Sequence, residues 1–245
     1  MHALIKLTII ELKLFLRDPA AAFFTLAFPL LLLILNGTGR DNKPIDDLGG
    51  HGVIDVIVPM LTVVVLAILA FTYLPAVLAV YRERRILRRL AATPLPAGSV
   101  LGAQLLVNLL VATAALLGLL VVGVLRYDLT PPKALAATLG VFLLGGLALF
   151  ALGFLLAAVA PTARFASAAG FAIFFPLLFL SGTMQPREEM PESLRRIGDF
   201  LPVSPVVRSL RGAWVGETPS ALTFALFAAI IVVAGGVALR LFRWE

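Results

Sequence analysis

Long runs without a charged residue alternate with short polar segments along the chain. The runs cover residues 19–39, 56–81, 90–125, 134–163, 165–186 and 218–239. A helix needs about 20 apolar residues to cross the hydrocarbon core of a bilayer, and each run is long enough. Because a charge at the centre of such a helix costs about 2.5–3.5 kcal/mol, six clean runs predict six transmembrane helices. The predicted fold class is an all-α integral membrane protein.

Composition supports this class and excludes others. Hydrophobic residues make up 60% of the 245 residues and charged residues 14%, which indicates a multi-pass protein of the inner or plasma membrane, with a bacterial source expected. The net charge of +6 does not indicate nucleic-acid binding, because the basic residues flank the apolar runs. The chain has no cysteine, so disulfides and thiolate metal sites are excluded, and we expect no metal site.

Six spans place both termini on one side of the membrane. With the termini inside, the inner segments carry eleven Lys and Arg residues, against four in the first two outer loops. The positive-inside rule therefore predicts cytoplasmic N- and C-termini. The last outer segment, 186–215, departs from the rule because it holds five arginines. We expect two short external helices there, at 191–200 and 205–214, with Ser204 as the N-cap of the second.

The chain is predicted to form one transmembrane domain, 1–245, that begins with an amphipathic interfacial helix at 2–17. On a helical wheel Lys6, Lys13 and Arg17 lie within one narrow arc. Glu11 lies off that arc, and two interpretations are open: it pairs with a basic group of the protein, or it is a solvated carboxylate at a wet interface. Asp18 and Pro19 then end this helix and start the first span.

A few residues inside the runs predict local features. Pro29 predicts a bend in the first span. Gln104 and Asn108 are four residues apart, hence on one helix face, and we expect them to hydrogen-bond to a neighbouring helix. Gly153 and Ala157 have a small-xxx-small spacing that favours close helix contact.

The segment 82–96 is the most basic part of the chain. Read as one helix, it places its five arginines on one side, namely Arg82, Arg84, Arg85, Arg88 and Arg89, and Ile86, Leu87 and Leu90 on the other. Glu83 lies among the apolar residues. Two interpretations compete: the segment lies on anionic lipid headgroups, or it docks into a partner protein, with Glu83 paired to a basic group of that partner.

Three sequence motifs carry a family resemblance. Residues 81–96, Tyr-Arg-Glu-Arg-Arg-Ile-Leu-Arg-Arg-Leu-Ala-Ala-Thr-Pro-Leu-Pro, resemble the cytoplasmic loop of type 2 ABC exporter permeases, in particular the daunorubicin-resistance-like branch. Residues 175–182, Phe-Pro-Leu-Leu-Phe-Leu-Ser-Gly, and 201–205, Leu-Pro-Val-Ser-Pro, are similar to two further family motifs. The likeness departs from the family pattern at Arg85-Ile86, where Gly-Thr is usual, and at Ser204, where Asn is usual.

The resemblance implies partners and roles. Segment 82–96 would be a coupling helix seated in a groove of a cytoplasmic ATPase subunit, and the interfacial helix would be a second contact. Two ATPase copies and a second permease subunit, as a homodimer or a heterodimer, would complete the exporter. The external segment 186–215 would dip back into the outer leaflet. ATP and Mg would bind to the partner, because this chain lacks the Gly-x-x-x-x-Gly-Lys-(Ser/Thr) loop and is expected to bind no cofactor and to catalyse no reaction itself.

The candidate translocation path has seven residues: Pro59, Thr72 and Tyr73 in the second run, and Phe175, Pro176, Phe179 and Ser181 at the end of the fifth. The spans hold no ionisable residue at mid-depth, which argues against proton relays and ion-coupled carriers. An uncharged, partly aromatic path fits a hydrophobic or amphipathic cargo. The four phenylalanines of the fifth run are nevertheless more typical of a core than of a drug-binding site, namely Phe171, Phe174, Phe175 and Phe179. Two alternatives remain: a non-transporting scaffold that recruits a cytoplasmic protein, and a membrane-embedded transferase.

Overall fold

The computed structural model describes residues 2–38, 42–45, 50–86, 89, 98–180 and 191–241. This part of the chain is nearly all helical, and six of its helices are long and apolar enough to cross a membrane, as predicted. Those helices are α2 (Pro19–Gly37), α3 (Val53–Glu83), α4 (Gly98–Tyr127), α5 (Leu135–Val159), α6 (Ala163–Leu180) and α9 (Ala221–Leu241). The three others are α1 (His2–Leu16), α7 (Glu192–Asp199) and α8 (Val203–Val215).

The first span starts where the sequence predicts. Asp18 is the N-cap of α2: its Oδ1 accepts a hydrogen bond of 3.0 Å from the backbone N–H of Ala21, and Pro19 takes the first helical position. A capping carboxylate satisfies one of the four N–H groups that a helix start leaves unpaired, and proline has no N–H to satisfy.

Two spans contain a π-helical turn just before a proline. In α2 the turn covers Phe23–Ala27, and in α3 it covers Ile68–Tyr73. Pro29 and Pro75 follow these turns and cannot donate to the carbonyl four residues back, so the i→i−4 ladder is interrupted there. The expected irregularity at Pro29 is thus a π-turn, whereas Pro59 lies in regular helix inside α3.

The π-turn of α3 brings two helices unusually close. Leu74 donates its N–H to the carbonyl of Leu69, so the carbonyl of Ala70 loses the donor that an α-helix would give it. A Cβ atom built on Gly153 of α5 would overlap that Ala70 oxygen, and one on Gly170 of α6 would overlap the carbonyl oxygen of Phe71. Gly153 therefore serves the close packing that its spacing predicts.

Helix α3 lies at the centre of the bundle. In the most apolar stretch of α3, 83% of the residues are buried. The corresponding stretches of α9 and α2 are 17% and 22% buried. It packs on α2, α4, α5, α6 and α8. The outer spans therefore leave most of their apolar surface free to face lipid or another subunit.

At the end of the bundle remote from α1, a buried carboxylate fastens the loops. Asp55, which is 7% exposed, accepts hydrogen bonds from Asn42 Nδ2 at 3.0 Å, from the N–H of Thr130 at 2.9 Å and from the Thr130 hydroxyl at 3.2 Å. The indole N–H of Trp214, in α8, donates to the carbonyl of Thr130. These contacts connect the first turn of α3 to the α4–α5 loop, and that loop to α8.

The two short helices near the end of the chain form as predicted, with one correction. Helix α8 begins at Val203, and Ser204 is not its N-cap. The Ser204 side chain is fully buried, and its hydroxyl donates to the carbonyl of Gly198, which joins α8 to α7. Residues 186–190 of the predicted external segment lie outside the described residues.

Candidate functional site

An apolar cavity of about 440 Å³ lies between α2, α3 and α6. Both π-turns line it, α2 through Phe24 and Thr25 and α3 through Ile68, Thr72 and Tyr73. π-turns are rare and occur frequently at functional sites. The cavity is therefore bounded by the π-turns of two different spans.

Few polar groups enter this cavity. Asp18 is the charged residue in its lining, and it is already the N-cap of α2. The hydroxyl of Thr72 donates to the carbonyl of Ile68 at 2.6 Å. Thr25 is 0% exposed, and its hydroxyl has no hydrogen-bond partner among the described residues.

The predicted path residues divide into two groups. Thr72, Tyr73 and Phe175 line the cavity. Pro59 is buried in α3 away from it, and Pro176 and Phe179 lie on the exposed side of α6. Ser181 lies outside the described residues. The sequence missed the contribution of α2, whose small residues Ala20 and Ala21 and whose Phe24 give no polar signal.

One face of α6 carries an exposed row of phenylalanines beside the cavity. Phe171, Phe175 and Phe179 are four residues apart and are 50%, 51% and 52% exposed. Phe174, by contrast, is 6% exposed and packs edge-on against Phe175. Three of the four phenylalanines considered as core are therefore on the surface.

The end of the second span contacts three other helices through three successive residues. The Tyr81 hydroxyl donates to Glu11 of α1 at 2.6 Å. The Arg82 guanidinium donates to the carbonyls of Ala157, at 3.3 Å, and Ala160, at the end of α5. The last carbonyls of a helix have no intrahelical donor, and a cation at the C-terminus also interacts favourably with the helix dipole.

Glu83 makes the matching contact at the start of α6. Its Oε1 accepts the backbone N–H of Ala163 at 2.8 Å, while the Thr162 hydroxyl accepts that of Phe165 at 3.1 Å. This contact within the chain was not predicted, and the pairing of Glu83 with a basic group of a partner protein stays a prediction. Arg82 and Glu83 together clamp the short α5–α6 turn from both sides.

The prediction that segment 82–96 starts as one continuous helix is wrong. Helix α3 ends at Glu83, and Arg85 has a φ of 55°, in the left-handed region that cannot continue a right-handed helix. Arg82 and Glu83 therefore do not share one helical wheel with the residues after the break. Arg84, Arg85 and Arg89 are exposed and Ile86 is half-buried. Leu87, Arg88 and Leu90 lie outside the described residues.

Helix α1 exposes its basic residues and buries its acid. Lys6, Lys13 and Arg17 are exposed, as an interfacial helix requires. Glu11 is 4% exposed and accepts hydrogen bonds from Tyr81 and, at 2.7 Å, from Gln104 Nε2. Within the described part of the chain Glu11 is neither solvated nor paired with a cation, so neither interpretation of it agrees with the structure.

Burial is the main electrostatic effect on this carboxyl. It raises the pKa of Glu11 above its ordinary value, and the hydrogen bonds from Tyr81 and Gln104 lower that pKa only in part. The prediction for Gln104, a bond to a neighbouring helix, agrees with this contact, whereas Asn108 donates to the carbonyl of Gln104 in its own helix. In the described ranges no group of His, Cys, Asp and Glu side chains could hold a metal ion.

A comparison with known protein families decides the broad identity. The ABC-2 type transporter family matches residues 2–215, which is most of the chain. The chain belongs to the ABC-2 type transporter family. Among curated proteins, no sequence matches it.

This membership agrees with the described helices. As an ABC-2 membrane domain with six apolar helices, the chain is a multi-pass membrane protein and a permease subunit of an ABC-2 transporter. Such a domain is a transport subunit and not a nucleotide-binding domain, and it typically pairs with a cytoplasmic ATPase.

Proposed function

We propose that this ABC-2 permease is part of an exporter of the daunorubicin-resistance-like branch, with residues 1–245 as one transmembrane domain. It moves a hydrophobic or amphipathic compound, such as a drug, a lipid or a secondary metabolite, outward across the membrane. Hydrolysis of ATP, with Mg, on two separate ATPase subunits drives the movement. The observation that carries this proposal is the apolar cavity between α2, α3 and α6.

The chemistry of the cavity supports an apolar cargo. Its lining is aliphatic and aromatic except for a few hydroxyl groups and Asp18 at one end. A binding site of this kind gains affinity from buried apolar surface, at about 25 cal/mol per Å², and uses its few polar groups to orient the ligand. The hydroxyl groups of Thr72 and Tyr73 are suited to that second task.

The position of the cavity supports loading from the inner leaflet. It extends from Asp18 and Ser167, near the starts of α2 and α6, to Leu32 and Leu178. With cytoplasmic termini, which the positive-inside rule favours, the end at Asp18 faces the cytoplasm. A cargo dissolved in the inner leaflet would then reach the cavity sideways, without crossing the aqueous phase.

The contacts at the end of α3 support a mechanical link to an ATPase. Arg84, Arg85 and Arg89 offer an exposed cationic surface that follows the Arg82–Glu83 clamp directly. A displacement of that surface by an ATPase would be transmitted by the clamp to the ends of α5 and α6. Because α6 lines the cavity, its shape would change with the state of the bound nucleotide.

A second copy of the chain fits the phenylalanine row of α6. Phe171, Phe175 and Phe179 lie beside the cavity and are half-exposed, so a second subunit placed there would close the cavity on its open side. We propose a homodimer for this reason, with α7 and α8 on the outer side of each subunit.

The test uses the absence of cysteine in the chain. A Thr72→Cys variant places a single thiol in the cavity, and its labelling by an apolar maleimide is followed in the permease complex purified from native membranes. Addition of ATP with vanadate is expected to change the labelling rate several-fold. A Val121→Cys variant, whose residue is 54% exposed on the outside of α4, is the matched control and should not respond.

Two results would refute the proposal. One is an equal labelling rate of the Thr72→Cys variant in every nucleotide state. The other is a complex that contains no ATP-hydrolysing protein, which would favour the scaffold alternative.

A further inference from the structure

Among the described residues, no positive charge compensates the buried Glu11 carboxylate. It is 4% exposed, and its Oε2 accepts hydrogen bonds from the Tyr81 hydroxyl, at 2.6 Å, and from Gln104 Nε2, at 2.7 Å. Both donors are neutral. A buried carboxylate normally pairs with a cation or takes up a proton, because an isolated charge in a low-dielectric interior is very costly.

The charged side chains of α1 itself point elsewhere. Lys6, Lys13 and Arg17 are exposed, so none of them compensates the buried Glu11. On α2 the nearest charged group is Asp18, which is occupied as the N-cap and carries the same sign as a carboxylate at Glu11.

The spans that surround Glu11 also supply no cation. In α4 the charged residue is Arg126, 22 residues beyond Gln104 and thus about 33 Å along the helix. In α3, Tyr81 bonds Glu11, and Tyr73 packs edge-on against Phe15 of α1. Arg82 and Glu83, which follow, are held by the ends of α5 and α6, and α5 has no charged residue.

Next to this carboxylate, hydrogen-bond acceptors outnumber donors. Oε1 of Gln104 and Oδ1 of Asn108 are buried and have no hydrogen-bond partner in the described part of the chain. Both residues are 0% exposed. An unpaired buried acceptor costs about 1–3 kcal/mol in general, so the arrangement lacks a donor. One hydrogen atom on Glu11 would supply a donor for one of these two acceptors.

The geometry of the Gln104 amide shows where that hydrogen would go. Its Nε2 already donates to Oε2 of Glu11, and its free Oε1 belongs to the same planar amide group. A protonated carboxyl can face a primary amide through two parallel hydrogen bonds. In that pairing Oε1 of Glu11 carries the proton and donates it to Oε1 of Gln104.

We propose that Glu11 is a proton-binding site, and that its protonated form holds α1 against α3 and α4 through this paired contact. The ligand is a single proton, and the proposal does not depend on the identity of any transported compound. The effect of burial on this group agrees: the pKa of Glu11 is raised.

The direction of the pH dependence follows from the raised pKa. Protonated Glu11 is favoured in the packed state, so the stabilisation is complete at low pH and is lost as the pH rises through that raised value. Above that pKa, Glu11 carries a buried negative charge, and α1 detaches from α3 and α4 more easily. Helix α1 leads directly into α2, which forms one wall of the cavity. Proton binding to Glu11 would therefore control the position of that wall.

The first experiment detects the proton itself. Infrared difference spectra of the wild type minus the Glu11→Gln variant should show the carbonyl stretching band of a protonated carboxyl at a pH where solvated carboxyls are ionised. The band should disappear as the pH rises further. A Glu192→Gln variant is the control, because Glu192 is exposed and ion-paired with Arg196, and it should give no such band.

The second experiment measures the attachment of α1. Thr8 is 8% exposed and lies one turn before Glu11, so a Thr8→Cys thiol is labelled only when α1 loosens. The labelling rate is divided by the rate of the same thiol in a Glu11→Gln background, which cancels the titration of the thiol. The ratio should rise with pH, by up to about tenfold per pH unit between the ordinary and the raised pKa of Glu11, and should level off above the raised pKa.

The Glu11→Gln variant is itself a sharp test. Its amide nitrogen can donate to Oε1 of Gln104 as the protonated carboxyl would, so this variant should fold, and its Tm should not fall between about pH 5 and pH 9. Three results overturn the proposal: a variant that does not accumulate in the membrane, a labelling ratio that stays flat, or no carboxyl band. A wild-type Tm that rises with sodium but not with choline at equal ionic strength overturns it too and assigns a bound cation.

Discussion

Glu83 and Ala163 are 80 residues apart in the chain, yet Oε1 of Glu83 lies 2.8 Å from the backbone nitrogen of Ala163. This contact fixes the start of α6 to the end of α3. Since Arg82 binds the end of α5 from the same place, the α5–α6 turn cannot move independently of the basic segment that follows Glu83.

Removal of this clamp should loosen the α5–α6 turn before it affects the rest of the bundle. An Arg82→Gln variant loses two bonds to helix-end carbonyls, and we expect about 1 kcal/mol of destabilisation, with a smaller effect for Glu83→Gln because that residue is exposed. Hydrogen exchange of the amides of 163–166 should accelerate in both variants. Arg84→Gln is the control, and equal exchange in all three variants would contradict the clamp.

The close packing on the π-turn of α3 predicts an unusual sensitivity to a single methyl group. A Gly153→Ala or Gly170→Ala variant places Cβ against a backbone carbonyl, which no rotamer change can relieve. We expect a loss of about 1–3 kcal/mol, measured as a lower Tm in detergent.

The chain offers a matched control for the glycine variants. A Cβ at Gly235 or Gly236 of α9 meets nothing within 4 Å. Alanine there should be neutral or stabilise the helix by up to about 1 kcal/mol. If all four variants had the same Tm, the close approach of α5 and α6 to α3 would be wrong.

The spans were predictable because charge-free runs report directly on the cost of charge in lipid. Long-range polar contacts were not: Glu83 finds a backbone N–H, which has no sequence signature, and Arg85 takes a left-handed conformation that is uncommon for an arginine. The burial of Glu11 could not be predicted from the amphipathic pattern of α1. Its two hydrogen-bond donors, Tyr81 and Gln104, come from separate spans.

Asp55 should stabilise the end of the bundle remote from α1. An Asp55→Ala variant leaves the N–H of Thr130 without its acceptor and leaves the amide of Asn42 with only the carbonyl of Asp128, which should cost about 1–3 kcal/mol. Thermal unfolding of the purified protein measures it. An Asp128→Asn variant is the control, because Asp128 is exposed and asparagine tolerates its positive φ of 51°. An Asp55→Ala variant as stable as this control would contradict the role.

A homodimer through α6 predicts a specific cross-link. In the cysteine-free chain, a Phe175→Cys or Phe179→Cys variant should form an intermolecular disulfide on mild oxidation in the membrane. A Val233→Cys variant on α9, where the residue is 65% exposed, should remain monomeric under the same conditions. Denaturing electrophoresis without reductant distinguishes the outcomes, and cross-linking at α9 alone would place the second copy elsewhere.

We propose that this permease is coupled to a separate ATPase through the exposed arginines after α3. The most direct measurement is purification from native membranes, with the ATP hydrolysis of the purified complex, for the wild type and for a variant with Arg84, Arg85 and Arg89 changed to Glu. We expect the wild type to purify with a bound protein that contains a Gly-x-x-x-x-Gly-Lys-(Ser/Thr) loop, and we expect the triple variant to lose this protein. The control variants Arg196→Glu and Arg211→Glu should retain the bound protein. An unchanged ATPase association and hydrolysis rate in the triple variant would contradict this coupling.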